Sequence, residues 1–332
     1  MTEEVIKIKE LKGYYRGSFG VVHAVDGVSL SVNKGDIMGI AGESGCGKTS
    51  LAELITGRPI QLLHHEGGQV YVNDLSMYEL DEEVLRKEIL CKVIGYVPQA
   101  SQNSLNPVKR IRDFILDVTR ERVGRKPKNK EEVLNRVAEH FNKLGLEKSV
   151  IDKYPHELSG GMKQRVIVGI STIWNPLILI VDEPTSALDV TTQLLLIQTL
   201  KHLKQMGIVE TILFISHDIP LLAQICDSCI IMYAGRIVEK ASMDDIINNP
   251  LHPYTKMLIN SIASFNPDGS AETNLEGIPG SPPDLKSPPK GCRFYPRCSS
   301  SIEKCKENYP PFFNPGAAKN PVACWLYEEI GD

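Results

Sequence analysis

The sequence predicts an α/β nucleotide-binding core with an inserted helical subdomain, followed by a small cysteine-bearing domain. Three observations carry that expectation. A glycine-rich motif stands between an apolar run and a helix start at residues 42–49. The short runs 177–181 and 211–216 are apolar with no alternation in their interiors, as strands buried on both faces of a parallel sheet are. Four of the eight cysteines, Cys292, Cys298, Cys305 and Cys324, lie close together near the C-terminal end.

Length and composition set the bounds. A chain of 332 residues suits about two domains and can bury a core without disulfide staples. Its net charge of −4 argues against a dedicated nucleic-acid binder, which is usually basic. No apolar run approaches the ~18–20 residues of a membrane-spanning helix. The opening stretch MTEEVIKIKELK mixes charges of both signs and has no apolar signal region. The expectation is a cytosolic chain that reaches a membrane only through partners.

Proline sets the domain boundary, since twelve of the 21 prolines lie in 251–332. Residues 1–250 are assigned to the nucleotide-binding domain, with the helical subdomain at about 100–172. Residues 251–332 are assigned to a proline-rich linker (266–290) and a four-cysteine, metal-binding domain.

In chain order, 36–41 reads as a buried strand that ends at GESGCGKT, residues 42–49, which fits G-x-x-x-x-G-K-[ST] at every fixed position. Gly42, Gly45 and Gly47 let the backbone curl around phosphate oxygens, with Glu43, Ser44 and Cys46 supplying further N–H groups. The helix that begins at Lys48 adds its positive end, and Ser50 lies in its first turn. Lys48 reaches the β and γ phosphates of a nucleotide, and the Thr49 hydroxyl ligates Mg²⁺. The region 101–174 is polar by comparison, with LNRVAEHFNKLGL at helical spacing. The run 177–181 then ends in Asp182 and Glu183: Asp182 is expected beside the magnesium, and Glu183 is expected to polarise the attacking water. The pair Cys226 and Cys229 lacks the strand-then-helix setting of a redox motif and reads as packing.

LSGGMKQR, residues 158–165, resembles the signature of the ABC-type ATPases. Ser159, Gly160 and Gly161 open a helix, so they offer a second anion-binding surface, with Gln164 assigned to the same group. The resemblance implies that this surface meets the γ phosphate of ATP held by an opposite subunit, head to tail. It also implies an antiparallel N-terminal sheet beside the P-loop core. Gln99 in GYVPQ matches a loop that touches Mg²⁺ and the attacking water, and Asp189 in SALD matches a loop at the dimer seam. His217 in FISHD matches a histidine that contacts the γ phosphate. Tyr15 is the expected adenine-stacking aromatic, with the adjacent Tyr14 left open.

QNSLNP at 102–107, YPHEL at 154–158, Met162, HPY at 252–254 and GCRFYPRC at 291–298 narrow the resemblance to the ATPases of dipeptide, oligopeptide and nickel importers. Met162 is similar to the D-type subunit of these systems. The resemblance implies an F-type ATPase partner, two transmembrane permease subunits, an extracytoplasmic solute-binding protein and a peripheral place on the cytoplasmic face of the membrane. A soluble ABC ATPase acting on DNA or ribosomes fits less well. Such chains carry a long coiled coil or two cassettes, whereas the gap here is about 110 residues around one cassette.

Three readings compete for the four tail cysteines. Disulfides are disfavoured by a reducing compartment, and a zinc site usually uses tight C-x₂₋₄-C knuckles, which are absent. A [4Fe–4S] cluster accepts four well-separated thiolates and is preferred, and the resemblance points the same way, with Zn²⁺ as the alternative.

Overall fold

The computed structural model describes residues 3–124, 129–185, 188–261, 277–315 and 320–328. It begins with strands β1 (Glu4–Gly17), β2 (Gly20–Asn33) and β3 (Ile37–Ala41), helix α1 (Lys48–Ile55), and strands β4 (Leu63–Val72) and β5 (Leu75–Ser76). A short α2 (Glu82–Val84) leads through a π-helical turn to β6 (Ile94–Val97). Helices α3 (Ile111–Val123), α4 (Lys130–Lys143) and α5 (Gly160–Thr172) come before β7 (Ile178–Asp182), α6 (Val190–Gln205) and β8 (Thr211–Ile215). Then come α7 (Ile219–Ala223), β9 (Ser228–Tyr233), β10 (Arg236–Ser242), α8 (Met243–Asn248), α9 (Pro253–Asn260) and α10 (Lys304–Glu307). Among the described residues no helix is long and apolar enough to cross a membrane.

The chain forms two compact units, one built chiefly from Leu75–Ile215 and the other from Glu4–Val32, Met38–Asp74 and Ser216–Asp332. In the first, β6, β7 and β8 run parallel, with Val97 opposite Val181 and Asp182 opposite Ile215. Every residue of β7 and β8 is buried, which is why these runs are apolar without alternation. Helix α4 is amphipathic and buries Val137, Ala138, His140 and Phe141. Asn129 caps it by accepting from the Glu132 N–H, Glu131 and Glu132 occupy the positive first turn, and Gly145 follows it at φ +69°. The helix so defined starts four residues before the run at helical spacing, because its first turn is polar. On α5, Gly169 admits the Phe141 ring: a Cβ there would stand 2.7 Å from Phe141 Cε1.

In the second unit β1 lies between β2 and β4, antiparallel to β4 with Ile6 opposite Val72 and a bulge between Lys9 and Lys12. This is the antiparallel N-terminal sheet that the resemblance implies. Strand β3 is parallel to β9, and β9 and β10 form an antiparallel pair. Cys226 and Cys229 pack around this strand pair, each with its Sγ 3.2 Å from where a Cβ on Gly39 would stand. Burial pushes the Cys229 thiol up to about 12, so the pair is inert packing.

The cysteine tail belongs to this second unit and is built from loops. Backbone bonds tie it in: Ala323 N–H donates to Val238 C=O, Lys240 N–H to Pro321 C=O and His23 N–H to Leu285 C=O. The linker 266–290 was expected to be extended with few packable side chains. Residues 266–276 lie outside the described residues, whereas 277–290 is extended and anchored, because its carbonyls serve as acceptors for buried donors.

Candidate nucleotide site

The phosphate loop lies in the second unit. Gly42, Gly45 and Gly47 hold φ of +149°, +78° and +106°, the left-handed and mirror regions that only glycine enters freely. Two of them are also required for space. A Cβ on Gly42 would stand 2.2 Å from Met232 O, and one on Gly47 would stand 2.1 Å from Ala24 O, while Gly45 faces open space. The backbone of Ser44, Gly45 and Gly47 thus curls into an anion nest leading into α1, whereas the N–H groups of Glu43 and Cys46, expected to join it, donate instead to the Tyr254 hydroxyl and the Glu43 carbonyl. Lys48 is 5% exposed, and its Nζ donates to the carbonyls of Gly42 at 2.8 Å and Glu43 at 3.1 Å. Burial raises the pKa of the Cys46 thiol, so it stays neutral beside Lys48. Thr49 and Ser50 open α1.

The two candidate aromatics separate by partner. The Tyr14 hydroxyl donates to Asp26 Oδ1 at 2.8 Å, its ring lies 4.2 Å from His23, and burial with that carboxylate pushes its pKa up to about 12. Tyr14 is therefore committed to Asp26. The hydroxyls of Tyr15 and Ser50 share a hydrogen bond of 3.1 Å, which puts Tyr15 beside the phosphate helix. His217 is exposed after β8, at the head of the turn where Asp218 caps α7 by accepting from the Leu221 N–H.

The first unit supplies the carboxylates and the signature. Asp182 ends the fully buried β7 with no solvent exposure, and the Tyr96 hydroxyl lies 3.5 Å from its Oδ2. A carboxylate so enclosed suits a divalent cation. Glu183 stands at φ +43°, a strained setting for a non-glycine residue that points to function. Its N–H donates to Ile215 C=O, and Gln99 Nε2 donates to its Oε2 at 3.2 Å. The structure thus brings together two residues 84 positions apart that the sequence assigned to one reacting water.

Ser159 caps α5, its Oγ accepting from the Met162 N–H at 3.3 Å, with Gly160 and Gly161 in the first turn. Gly161 also has a packing reason, since a Cβ there would meet Thr192 Cγ2 at 2.5 Å. Gln164 differs from the outward position expected of a residue meeting a nucleotide. It is 2% exposed, and Ser101 Oγ donates to its Oε1 at 3.3 Å, so it links the signature helix to the segment after Gln99. Asp189 caps α6 by accepting from Thr192 N–H and Oγ, bonds that hold its carboxyl below the usual range. Ser186 and Ala187 of that motif lie outside the described residues.

All eight cysteines are free thiols, and Cys292, Cys298, Cys305 and Cys324 line one pocket with His252, Phe294 and Trp325. Burial pushes Cys292 up to about 12 and Cys324 up to about 11, so these two thiols stay neutral unless a cation draws off their protons. Among the described residues no three His, Cys, Asp or Glu side chains stand close enough to hold a metal ion. Beyond this shared pocket, the described residues give no support to either the preferred [4Fe–4S] cluster or the Zn²⁺ alternative. Arg293 and Arg297 are structural residues that no local motif marks in the sequence. Arg293 is 4% exposed and donates to Asp26 Oδ2 and Ala234 C=O.

A phosphate nest, a buried carboxylate at a strand end and a capped signature helix define a P-loop ATPase of the ABC cassette class. The ABC transporter family matches residues 25–186, and the family described as oligopeptide/dipeptide transporter, C-terminal region, matches 238–305. The dipeptide transport ATP-binding protein DppD of Caldanaerobacter subterraneus is 39% identical over 98% of both chains. The oligopeptide transport ATP-binding protein AppD of Bacillus subtilis is 36% identical over the same shares. The dimeric, ADP- and Pi-bound post-hydrolysis structure of the cassette MJ0796 covers 72% of this chain and 98% of its own, with a TM-score of 0.62 and 28% identity. The chain belongs to the ABC transporter ATP-binding family, in the branch that carries the oligopeptide/dipeptide transporter C-terminal region.

Proposed function

We propose that this chain is the ATP-hydrolysing subunit of a peptide-class importer, working on the cytoplasmic face of a membrane with two transmembrane permease subunits and, indirectly, an extracytoplasmic solute-binding protein. Its ATPase partner is an F-type subunit, with which it closes head to tail around two nucleotides. The observation that carries the ATPase reading is the Gln99–Glu183 hydrogen bond on a strained Glu183. The importer reading is supported by full-length likeness to DppD and AppD, whose names give dipeptide and oligopeptide transport.

In the reaction, Tyr15 stacks on adenine, the 42–47 loop and Lys48 bind the phosphates, and Thr49, Asp182 and Gln99 hold Mg²⁺. Bound Mg²⁺ offsets charge between the phosphates. Glu183 accepts the proton of the attacking water, and His217 and the partner's signature surface orient the γ phosphate. Ser159, Gly160 and Gly161 give the equivalent surface to the partner's nucleotide, with Gln164 behind them and Asp189 at the seam. Cells that lack this chain are expected to lose ATP-dependent uptake of labelled di- and oligopeptides, with uptake restored by the intact chain. Undiminished peptide uptake in the deletion strain would rule the importer reading out.

Cys292, Cys298, Cys305 and Cys324 hold a [4Fe–4S] cluster that cross-links a tail too poor in core residues to fold firmly alone. The supporting observation is their shared pocket. Chain purified without oxygen is expected to contain about four irons and four labile sulfides, with brown absorbance lost in Cys298→Ser. One zinc and no sulfide would replace this assignment with a zinc staple and leave the ATPase reading standing.

A further inference from the structure

Glu43 follows the first glycine of the phosphate loop, at the entry to the anion nest. Its side chain faces the tail. Arg297 Nη1 donates to Glu43 Oε2 at 2.7 Å and Nη2 donates to Oε1 at 3.1 Å, a two-pronged pair joining positions 254 residues apart. Arg297 has a side chain only 5% exposed, and three further acceptors fix it: the carbonyls of Pro279 and Ile278 and the Tyr233 hydroxyl. The Glu43 N–H in turn donates to the Tyr254 hydroxyl at 2.8 Å, and the Tyr254 ring packs on Phe294. Both anchors of Glu43 therefore belong to the surroundings of the cysteine pocket. Arg297 immediately precedes Cys298, and Phe294 lines that pocket.

The geometry has a consequence inside the loop. The Glu43 carbonyl is one of the two that accept from Lys48 Nζ. A shift of Glu43 therefore moves both the nest and the acceptor that aims the lysine.

We infer that Arg297 is a positioning residue for ATP binding, fixing the phosphate loop through Glu43 and thereby making order in the cysteine loop a determinant of ATP affinity. This rests on the reading of residues 42–49 as the ATP phosphate site. It assigns the tail a second task besides holding its own fold. An ion pair that only glued the tail down would change melting temperature and leave ATP affinity alone.

The test is ATP affinity and turnover of the full chain, with fluorescent ATP as the probe. Arg297→Gln is expected to raise the ATP Kd about 5- to 10-fold, with hydrolysis at saturating ATP recovering to within about twofold. Arg297→Lys, which keeps the charge and loses the fork, falls between the two. Glu43→Gln raises Kd to a similar degree, and the double variant is worse than either single by less than about twofold, because both changes break one link. An unchanged Kd in Arg297→Gln, or factors that multiply in the double variant, would overturn the inference. Where Arg297→Gln fails to fold, Glu43→Gln decides it, since that change leaves every tail residue in place and an unchanged Kd again overturns the inference. Lys48→Ala separates the two levels. If ATP affinity is indifferent to Lys48, the phosphate-site reading itself fails. If it depends on Lys48 and not on Arg297, only the present inference fails.

Discussion

A Glu183→Gln chain is expected to bind ATP with little change and to hydrolyse it about 100- to 1,000-fold more slowly. The substitution is nearly isosteric, so the strained backbone at φ +43° and the hydrogen bond from Gln99 Nε2 to the remaining side-chain oxygen have the same shape to return to. What disappears is the only thing a carboxylate adds there, which is the capacity to take a proton from water. Single-turnover hydrolysis beside equilibrium ATP binding makes the measurement. Hydrolysis within a few-fold of the unaltered chain would remove Glu183 from the role of base.

Lys48→Ala is expected to weaken ATP binding by about 100-fold or more, since charge-assisted hydrogen bonds to phosphate contribute roughly 1.5–3 kcal/mol each. The loss has a local part as well. In the folded chain the ammonium group bridges the carbonyls of Gly42 and Glu43, so its removal takes a donor from both, while the Glu43 carbonyl keeps the Cys46 N–H. Titration with labelled ATP checks the first effect, and a melting temperature taken beside it separates the second. Near-normal affinity in a well-folded Lys48→Ala chain would sink the phosphate-site assignment.

What could be read from the sequence follows the reach of each interaction. The phosphate loop is legible because its constraints are local, with glycines demanded by φ at fixed spacing and a helix start directly after. Strands β7 and β8 are legible because burial on both faces makes their central residues apolar, with a polar side chain only at one end of each. The choice between Tyr14 and Tyr15 is not legible in the same way. Neighbours on a strand point to opposite faces, and only the partners, Asp26 for one and Ser50 for the other, tell which face is which. Gln164 was grouped with the signature by adjacency, but the helical repeat turns it inward toward Ser101. The roles of the tail arginines are not legible because the carboxylates that hold them lie more than 250 residues away, and a linear pattern has no mark for such a pair.

The Arg293–Asp26 pair bears on how such chains diverge. A tail grafted from one relative onto the cassette of another brings its two arginines along but takes positions 26 and 43 from the host. If the host lacks carboxylates there, each guanidinium is entombed without a counterion, and a broken buried pair costs about 3–5 kcal/mol. The tail is therefore not freely exchangeable. Lineages that swap, trim or rebuild it are under pressure to change residues 26 and 43 in step, so that drift in the tail leaves its trace in the opening strands and the phosphate loop.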